Sequence, residues 1–339
     1  MSEVSKANGR IAWIDTAKGL GIMLVMFGHN YLDGKFVFWL DSFHMPLFFF
    51  LSGCTFNRNE SFKPFLIKRI KGLVIPYVFF AFVIGAYDYL SGVTHGRSVD
   101  LSGIAFSYLI QKRYTFLWFL PCLFLAEIGT WMISKFIRQK KSAQNWLIVS
   151  AIEFMTFFAY RCLVERDLPW NADTAVLAMG FMSLGIWYQS CIDSIVDEKC
   201  MKLPIIFTSV SMHFSLALVS FKAFGDTSIA LNNYGNPVLF LIVAVLGIFS
   251  TVLVSKKMNL RLLTYIGANS IVWYGFHRTI IDATFIVYNK LNIVIEPGSL
   301  MSLILAVVST VFAAFLLIPV NMILAKYFPF LIGKRRRKK

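Results

Sequence analysis

Residues 11–31 read IAWIDTAKGLGIMLVMFGHNY, an apolar stretch with three ionisable side chains, Asp15, Lys18 and His29. A helix of about 20 mostly apolar residues crosses the hydrocarbon core of a membrane. Ionisable groups at that depth are costly and usually functional. His29 follows Lys18 by 11 residues, which on a helix is three turns plus about 20°, with the side chains about 16 Å apart along the axis. The stretch therefore predicts a membrane helix with polar groups at two depths on one face.

The whole chain has the composition of a membrane protein with many spans. Of its 339 residues, 57% are hydrophobic and 15% are charged, whereas soluble domains have about 45–50% apolar residues. Ten segments are predicted to span the membrane: 11–31, 37–56, 70–90, 115–134, 145–160, 174–192, 204–221, 237–255, 262–288 and 300–327. With the N-terminus inside, about two thirds of the 33 lysines and arginines lie in cytoplasmic segments, as the positive-inside rule requires. We therefore expect an all-α integral membrane bundle of about ten transmembrane helices with both termini in the cytoplasm.

The distribution of polar residues predicts a single domain. No hydrophilic run is long enough for a second globular domain, and the longest, at 91–114, is expected to be a loop with a short interfacial helix. We therefore expect residues 1–339 to form one transmembrane domain with a basic cytoplasmic tail at 334–339 and no additional soluble domain. The N-terminus lacks a small-residue cleavage site after a short apolar core, so the first span is expected to remain uncleaved.

Charge, cysteines and motifs exclude several functional classes. The net charge of +15 is spread over loops between spans, which favours anionic lipid headgroups over nucleic acid as partners. The five cysteines show no CxxC spacing, so neither a zinc site nor a disulfide framework is indicated. No GxSxG, Walker A, HExxH or EF-hand pattern is present. We expect no metal cofactor and no serine-hydrolase or nucleotide-hydrolysing activity.

The first span contains the pattern D-x-x-[RK]-G followed by a histidine eleven residues after the basic position, here Asp15, Lys18, Gly19 and His29. It is followed by SFHMPLFFFLSG at 42–53, which contains His44. Further blocks are KRIK at 68–71, LWFLP at 117–121, PWNAD at 169–173, NYGNP at 233–237 and IGANS at 266–270 before His277. In order and spacing these blocks resemble membrane-bound acyltransferase family 3, especially its fucose 4-O-acetylase-like sugar O-acetyltransferase branch. Many members have Arg where this chain has Lys18, and Lys lacks the bidentate guanidinium.

The resemblance implies an O-acetyltransferase of the bacterial cytoplasmic (inner) membrane, with acetyl-CoA as acyl donor and a surface-glycan or lipid-linked sugar as acceptor. It assigns catalysis to His29 and His44, cofactor binding to Asp15, Lys18, Arg69 and Lys71, and substrate binding to Trp118, Asp173 and His277.

The predicted topology agrees with this chemistry. The basic groups map to the cytoplasmic side, where the phosphates of acetyl-CoA need cations, and the histidines map to the outer half. A sugar hydroxyl is a poor nucleophile, and an imidazole can remove its proton as the thioester is attacked. His29 is the expected general base. His44, Trp118 or backbone donors are candidates for stabilising the oxyanion, and an acyl-histidine intermediate is the alternative route.

Each candidate also has a structural interpretation. An intramembrane histidine such as His29 or His277 often serves a helix contact, and His44 precedes a proline whose neighbouring carbonyls need partners. The remaining alternatives are a local Asp15–Lys18 pair, membrane anchoring by Arg69, Lys71 and Trp118, and helix capping by Asp173. The whole pattern also fits a transporter or flippase for a glycan or lipid, or a structural or sensing protein without catalysis.

Overall fold

The computed structural model describes residues 11–30, 32–94, 100–111, 115–137, 142–164, 166–258 and 260–334. Regular structure in these ranges is helical, and the α-helices are α1 (Ala12–Gly28), α2 (Gly34–Asp41), α3 (His44–Cys54), α4 (Phe62–Arg69), α5 (Ile75–Thr94), α6 (Leu101–Ile110), α7 (Phe119–Phe136), α8 (Ser142–Leu163), α9 (Ala172–Trp187), α10 (Asp193–Lys199), α11 (Leu203–Phe224), α12 (Pro237–Lys257), α13 (Arg261–Ala268), α14 (Ser270–Lys290) and α15 (Leu300–Tyr327). Residues 335–339 of the predicted basic tail lie outside the described ranges.

The predicted all-α membrane bundle is confirmed. Within the residues that the structure describes, eight helical stretches are long and apolar enough to cross a membrane: Gly34–Cys54, Phe62–Thr94, Phe116–Phe136, Gln144–Leu163, Pro169–Lys199, Leu203–Phe224, Pro237–Lys257 and Leu300–Tyr327. The other two predicted spans coincide with α1, which has 17 residues, and with α13 followed by α14. The count of ten spans and their orientation stay predictions.

Two predicted spans are divided into shorter helices by local hydrogen bonds. Ser42 separates α2 from α3, and its hydroxyl donates to the Trp39 carbonyl at 2.9 Å. Asn269 separates α13 from α14 and donates its side-chain amide to the Tyr265 carbonyl at 2.7 Å. Short polar side chains that bond the backbone in this way compete with a continuous helix. Both interruptions lie directly before a helix that carries a candidate site histidine.

Two π-helical segments, Ile70–Val74 and Tyr188–Ile192, continue α4 and α9. Such segments are rare and occur frequently at functional sites. The first contains the candidate Lys71. The helix expected in the 91–114 loop is present as α6.

The chain forms two compact units, which we describe separately. Unit 1 comprises Met1–Cys54 and Tyr188–Asn321, and unit 2 comprises Thr55–Trp187 and Met322–Lys339. The single transmembrane domain expected over 1–339 stays a prediction.

In unit 1, α1 packs against α2, α3, α12, α13 and α14. Its contact with α13 is close because two glycines meet backbone to backbone. A Cβ on Gly19 would overlap the Leu263 carbonyl, and a Cβ on Gly267 would overlap the Asp15 carbonyl. Small residues allow this approach between membrane helices, where packing rather than water exclusion drives association. The contact fixes the half of α1 that carries Asp15 and Lys18.

In unit 2, α9 packs against α7 and α8. The Ser150 hydroxyl of α8 donates to the Gly180 carbonyl of α9 at 2.8 Å. A Cβ on Gly180 would overlap the Phe154 ring, so glycine allows α8 and α9 to pack this closely. These contacts hold the middle of α9, about two turns after Asp173.

Candidate active site

A pair of histidines lies at one end of α1. His29 is the C-cap residue of α1, and His277 is on α14, where it is fully buried at 0% exposure. Their ring centroids are 4.7 Å apart with an interplanar angle of 82°. The two residues are 248 positions apart in the chain, so only the tertiary fold makes them neighbours.

Backbone carbonyls define the proton positions on both rings. Nδ1 of His29 lies 2.8 Å from the Val25 carbonyl oxygen, and Nδ1 of His277 lies 2.7 Å from the Tyr274 carbonyl oxygen. Because a carbonyl oxygen only accepts, Nδ1 carries the proton in each ring, and Nε2 is the acceptor atom of the neutral imidazole. Both rings therefore have the tautomer that a general base acting through Nε2 requires.

His44 has the same arrangement. It is the first residue of α3, and its Nδ1 lies 2.7 Å from the Leu40 carbonyl oxygen and 3.7 Å from Oδ1 of Asp41. His44 also lies near His29. Both candidate catalytic histidines thus belong to one neighbourhood of unit 1.

Two charged residues on α14 were not selected from the sequence. Nη1 of Arg278 donates to the carbonyl oxygen of His29 at 3.2 Å, and its Nε lies 3.2 Å from Oδ1 of Asp282. The i, i+4 spacing of Arg278 and Asp282 predicts a helix-surface ion pair. It does not reveal the contact with His29.

The other end of α1 carries Asp15 and Lys18, both half-buried. The side chains of Lys18, Asp193 and Lys256 lie near that of Cys54. The site expected for the cofactor in unit 1 is therefore bordered by further charged groups.

An ion-pair cluster that sequence reasoning missed lies at that end. Nζ of Lys256 lies 2.6 Å from Oδ1 of Asp193 and 2.7 Å from Oδ1 of Asp197, and the Lys256 side chain is only 4% exposed. The same ammonium lies 5.1 Å from the centroid of the Trp13 ring. In the sequence, Lys256 looks like the other lysines at the cytoplasmic ends of the predicted spans. Composition does not distinguish a lysine in a solvent-exposed loop from one that is buried in an ion pair.

Unit 2 contains the basic candidates Arg69 and Lys71. Arg69 forms an ion pair with Glu127, and both side chains are largely buried. Its guanidinium lies 5.1 Å from the centroid of the Phe65 ring. Lys71 is exposed in the π-helical segment. Of the two, Lys71 has its charge available to a ligand, and Arg69 has a structural partner.

Trp118 and Asp173 also lie in unit 2, and Asn171 connects their segments. The Asn171 amide donates to the Gln111 carbonyl at 3.1 Å and to the Trp118 carbonyl at 3.4 Å. Asp173 accepts a hydrogen bond from the Leu168 amide at 3.3 Å. The bond ties one carboxylate oxygen to an amide that precedes the helix, and it differs from an N-cap bond, in which the side chain accepts from an amide two or three residues later. Trp118 is buried at 5% exposure.

In the part of the chain that the structure describes, no group of three or more His, Cys, Asp and Glu side chains could hold a metal ion. The arrangement in unit 1 instead combines imidazole bases at one end of α1 with a lysine at the other.

Comparison with known families decides the class of this protein. A family model described as an acyltransferase domain, that of acyltransferase family 3, matches residues 11–319. The chain belongs to this family. The match covers both units and includes all nine candidate site residues. The acyltransferase has no match among curated proteins, and none among solved structures. With its apolar helices, it is a multi-pass membrane acyltransferase.

Proposed function

We propose that the acyltransferase moves an acetyl group from cytosolic acetyl-CoA to a hydroxyl of a surface-glycan or lipid-linked sugar in the bacterial inner membrane. The observation that carries the proposal is the contact between the rings of His29 and His277. The Val25 carbonyl fixes the tautomer of His29, and His29 caps α1, the helix that carries Lys18. The family supplies acyl transfer, and the pair supplies a base for a hydroxyl acceptor.

The reaction is a direct transfer. The sugar hydroxyl oxygen attacks the thioester carbonyl carbon while Nε2 of His29 accepts the hydroxyl proton. The carbon–sulfur bond then breaks, and coenzyme A leaves as a thiol after taking that proton from the imidazolium. His277 faces the His29 ring at 4.7 Å, which limits the orientations of His29 and favours attack from one side.

The oxyanion that forms on the thioester carbonyl needs a hydrogen-bond donor. His44 lies near His29 and is proposed to donate through Nε2 in its imidazolium form, because its Nδ1 proton already bonds the Leu40 carbonyl and Nε2 of the neutral ring only accepts. Trp118 and Asp173 are proposed to contact the acceptor.

Cations are needed for the phosphates of acetyl-CoA. Lys18 is proposed to contact the donor in unit 1, with Asp15 orienting it. In unit 2, Lys71 is the proposed phosphate contact because it is exposed. Arg69 is proposed to act beside Lys71 while its ion pair with Glu127 holds the segment in place.

The test is replacement of His29 by Ala in the full-length protein. Membranes that contain the native acceptor are incubated with radiolabelled acetyl-CoA, and the acetyl esters of the surface glycan are quantified by mass spectrometry. Loss of a general base lowers the rate by about 10²–10⁴-fold. The matched control is His213→Gln, another buried imidazole of unit 1, which packs against the Phe43 ring.

Activity of His29→Ala equal to that of the unmodified protein would refute the role of His29. Movement of a glycan lipid across the membrane without consumption of acetyl-CoA would instead identify a flippase.

A further inference from the structure

The end of α1 is held by contacts from other helices, and His29 depends on them. His29 is the C-cap residue, with φ −86° and ψ 0°, so no helical turn follows to hold it. The next residue, Asn30, is buried and donates to the Thr310 hydroxyl of α15 at 3.2 Å. Arg278 of α14 donates to the His29 carbonyl itself.

Arg278 has the chemistry for this position. The last carbonyls of a helix lack partners within the helix, and a cation is favourable at that end. A guanidinium is a planar fork with five donors, so one side chain can bond a carbonyl and a carboxylate together. Here Nη1 bonds His29 and Nε faces Asp282, and the Arg278 side chain is only 34% exposed. The partly buried pair is screened less by water than a surface pair.

Arg278 also follows His277 directly in the chain. Consecutive residues of α14 thus contact the ring and the backbone of His29. Any movement of α1 away from α14 would break both contacts at once.

We propose that Arg278, oriented by Asp282, is a positioning residue that holds His29 against His277 for proton transfer. This inference rests on the proposed function of His29. Arg278 acts through the placement of the imidazole and does not touch the reacting atoms. Because Lys18 lies about three turns away along α1, the loss of Arg278 should affect turnover rather than donor binding.

The test compares Arg278→Gln and Arg278→Lys by the initial rate of radiolabelled acetyl transfer in membranes, with acetyl-CoA varied. A misplacement of about 1 Å costs about 10²-fold in rate, so we expect Arg278→Gln to lower kcat by about 10–100-fold with little change in the KM for acetyl-CoA. Arg278→Lys should recover part of the loss, because an ammonium can bond the His29 carbonyl but lacks the fork. The matched control is Arg161→Gln, which removes another arginine paired with an aspartate, Asp167.

A double variant tests whether Arg278 acts through His29. In the His29→Ala background, Arg278→Gln should cause no further loss of the residual rate. The same fold-loss in both backgrounds would overturn the inference, and so would an unchanged kcat in Arg278→Gln. If Arg278→Gln does not fold, as judged by gel filtration in detergent, Arg278→Lys decides: an intermediate kcat with unchanged KM supports the inference, and an unchanged kcat overturns it.

The two proposals fail in different ways. Full activity of His29→Ala refutes the proposed function and removes the basis for a positioning role. Inactive His29→Ala together with fully active Arg278→Gln overturns only the role of Arg278.

Discussion

Gly19→Ala is expected to destabilise the contact between α1 and α13. A Cβ at this position would lie 2.8 Å from the Leu263 carbonyl carbon and 3.2 Å from the Gly267 nitrogen, whereas ordinary contacts begin at 3.4 Å. The new Cβ would meet backbone atoms of α13, and no rotation of a side chain can relieve that overlap. The two helices must therefore separate by more than half an ångström.

The expected magnitude combines two opposing effects. Overpacking costs about 1–3 kcal/mol, and replacing a helical Gly by Ala returns about 0.5–1 kcal/mol of helix propensity. The free energy of unfolding should therefore fall by about 1–2 kcal/mol. In a domain of 150–250 residues this lowers the melting temperature by about 2–8 °C.

The assay is thermal unfolding of the purified full-length protein in detergent, followed by gel filtration after heating. The matched control is Gly28→Ala on the same helix, where the new Cβ would lie 3.7 Å from Cδ1 of Leu40, an ordinary contact. This control gains helix propensity without a clash and should melt at the temperature of the unmodified protein or slightly above. Equal melting temperatures of Gly19→Ala and Gly28→Ala would refute the close packing of α1 on α13.

Three further outcomes are expected. Lys256→Met should lower the free energy of unfolding by about 1.5–3 kcal/mol, because it removes a charged hydrogen bond to the partly buried Asp193, whereas Asp197 is 61% exposed and loses little. Exposed Lys257→Met is the control, and equal melting temperatures would contradict the pairing of Lys256 with Asp193. Asn171 has φ 53°, so Asn171→Ala should be less stable than Asn171→Gly by about 1 kcal/mol in the same assay; equal stability would argue against the left-handed backbone. In right-side-out vesicles a membrane-impermeant maleimide should label exposed Cys162, with Cys200 labelled only after the vesicles are opened, and the reverse pattern would contradict the predicted orientation.

Much of the fold was predictable because membrane insertion depends on local composition. The 17-residue helix α1 contains Lys18 and ends on His29 as its C-cap, so the two residues belong to one helical segment, as the spacing predicts. The interruptions at Ser42 and Asn269 were not predicted, because average hydropathy over a window does not register one side chain that bonds the backbone.

The candidate site was predicted in part. His29, His44 and His277 come from three helices and lie in one unit, although sequence alone gave no distance between them. Arg69 was selected for its charge, but its pairing with Glu127 depends on a helix more than fifty residues away. Arg278 was not predicted to be a site residue, because its proposed role depends on a hydrogen bond to the His29 backbone carbonyl. Every residue has a backbone carbonyl, so the sequence does not indicate which one an arginine will contact.

The sequence by itself determined that this chain enters a membrane, which segments are helical and which polar side chains occur at membrane depth. Those properties depend on the free energy of moving each segment from water into the membrane. That free energy is a sum over the residues of the segment, so it can be read from the sequence. Only the tertiary structure decided which polar groups meet: His29 with His277, Arg278 with the His29 carbonyl, and Lys256 with Asp193. Such pairs are set by how helices pack, and packing depends on shape at contacts such as Gly19 with Gly267.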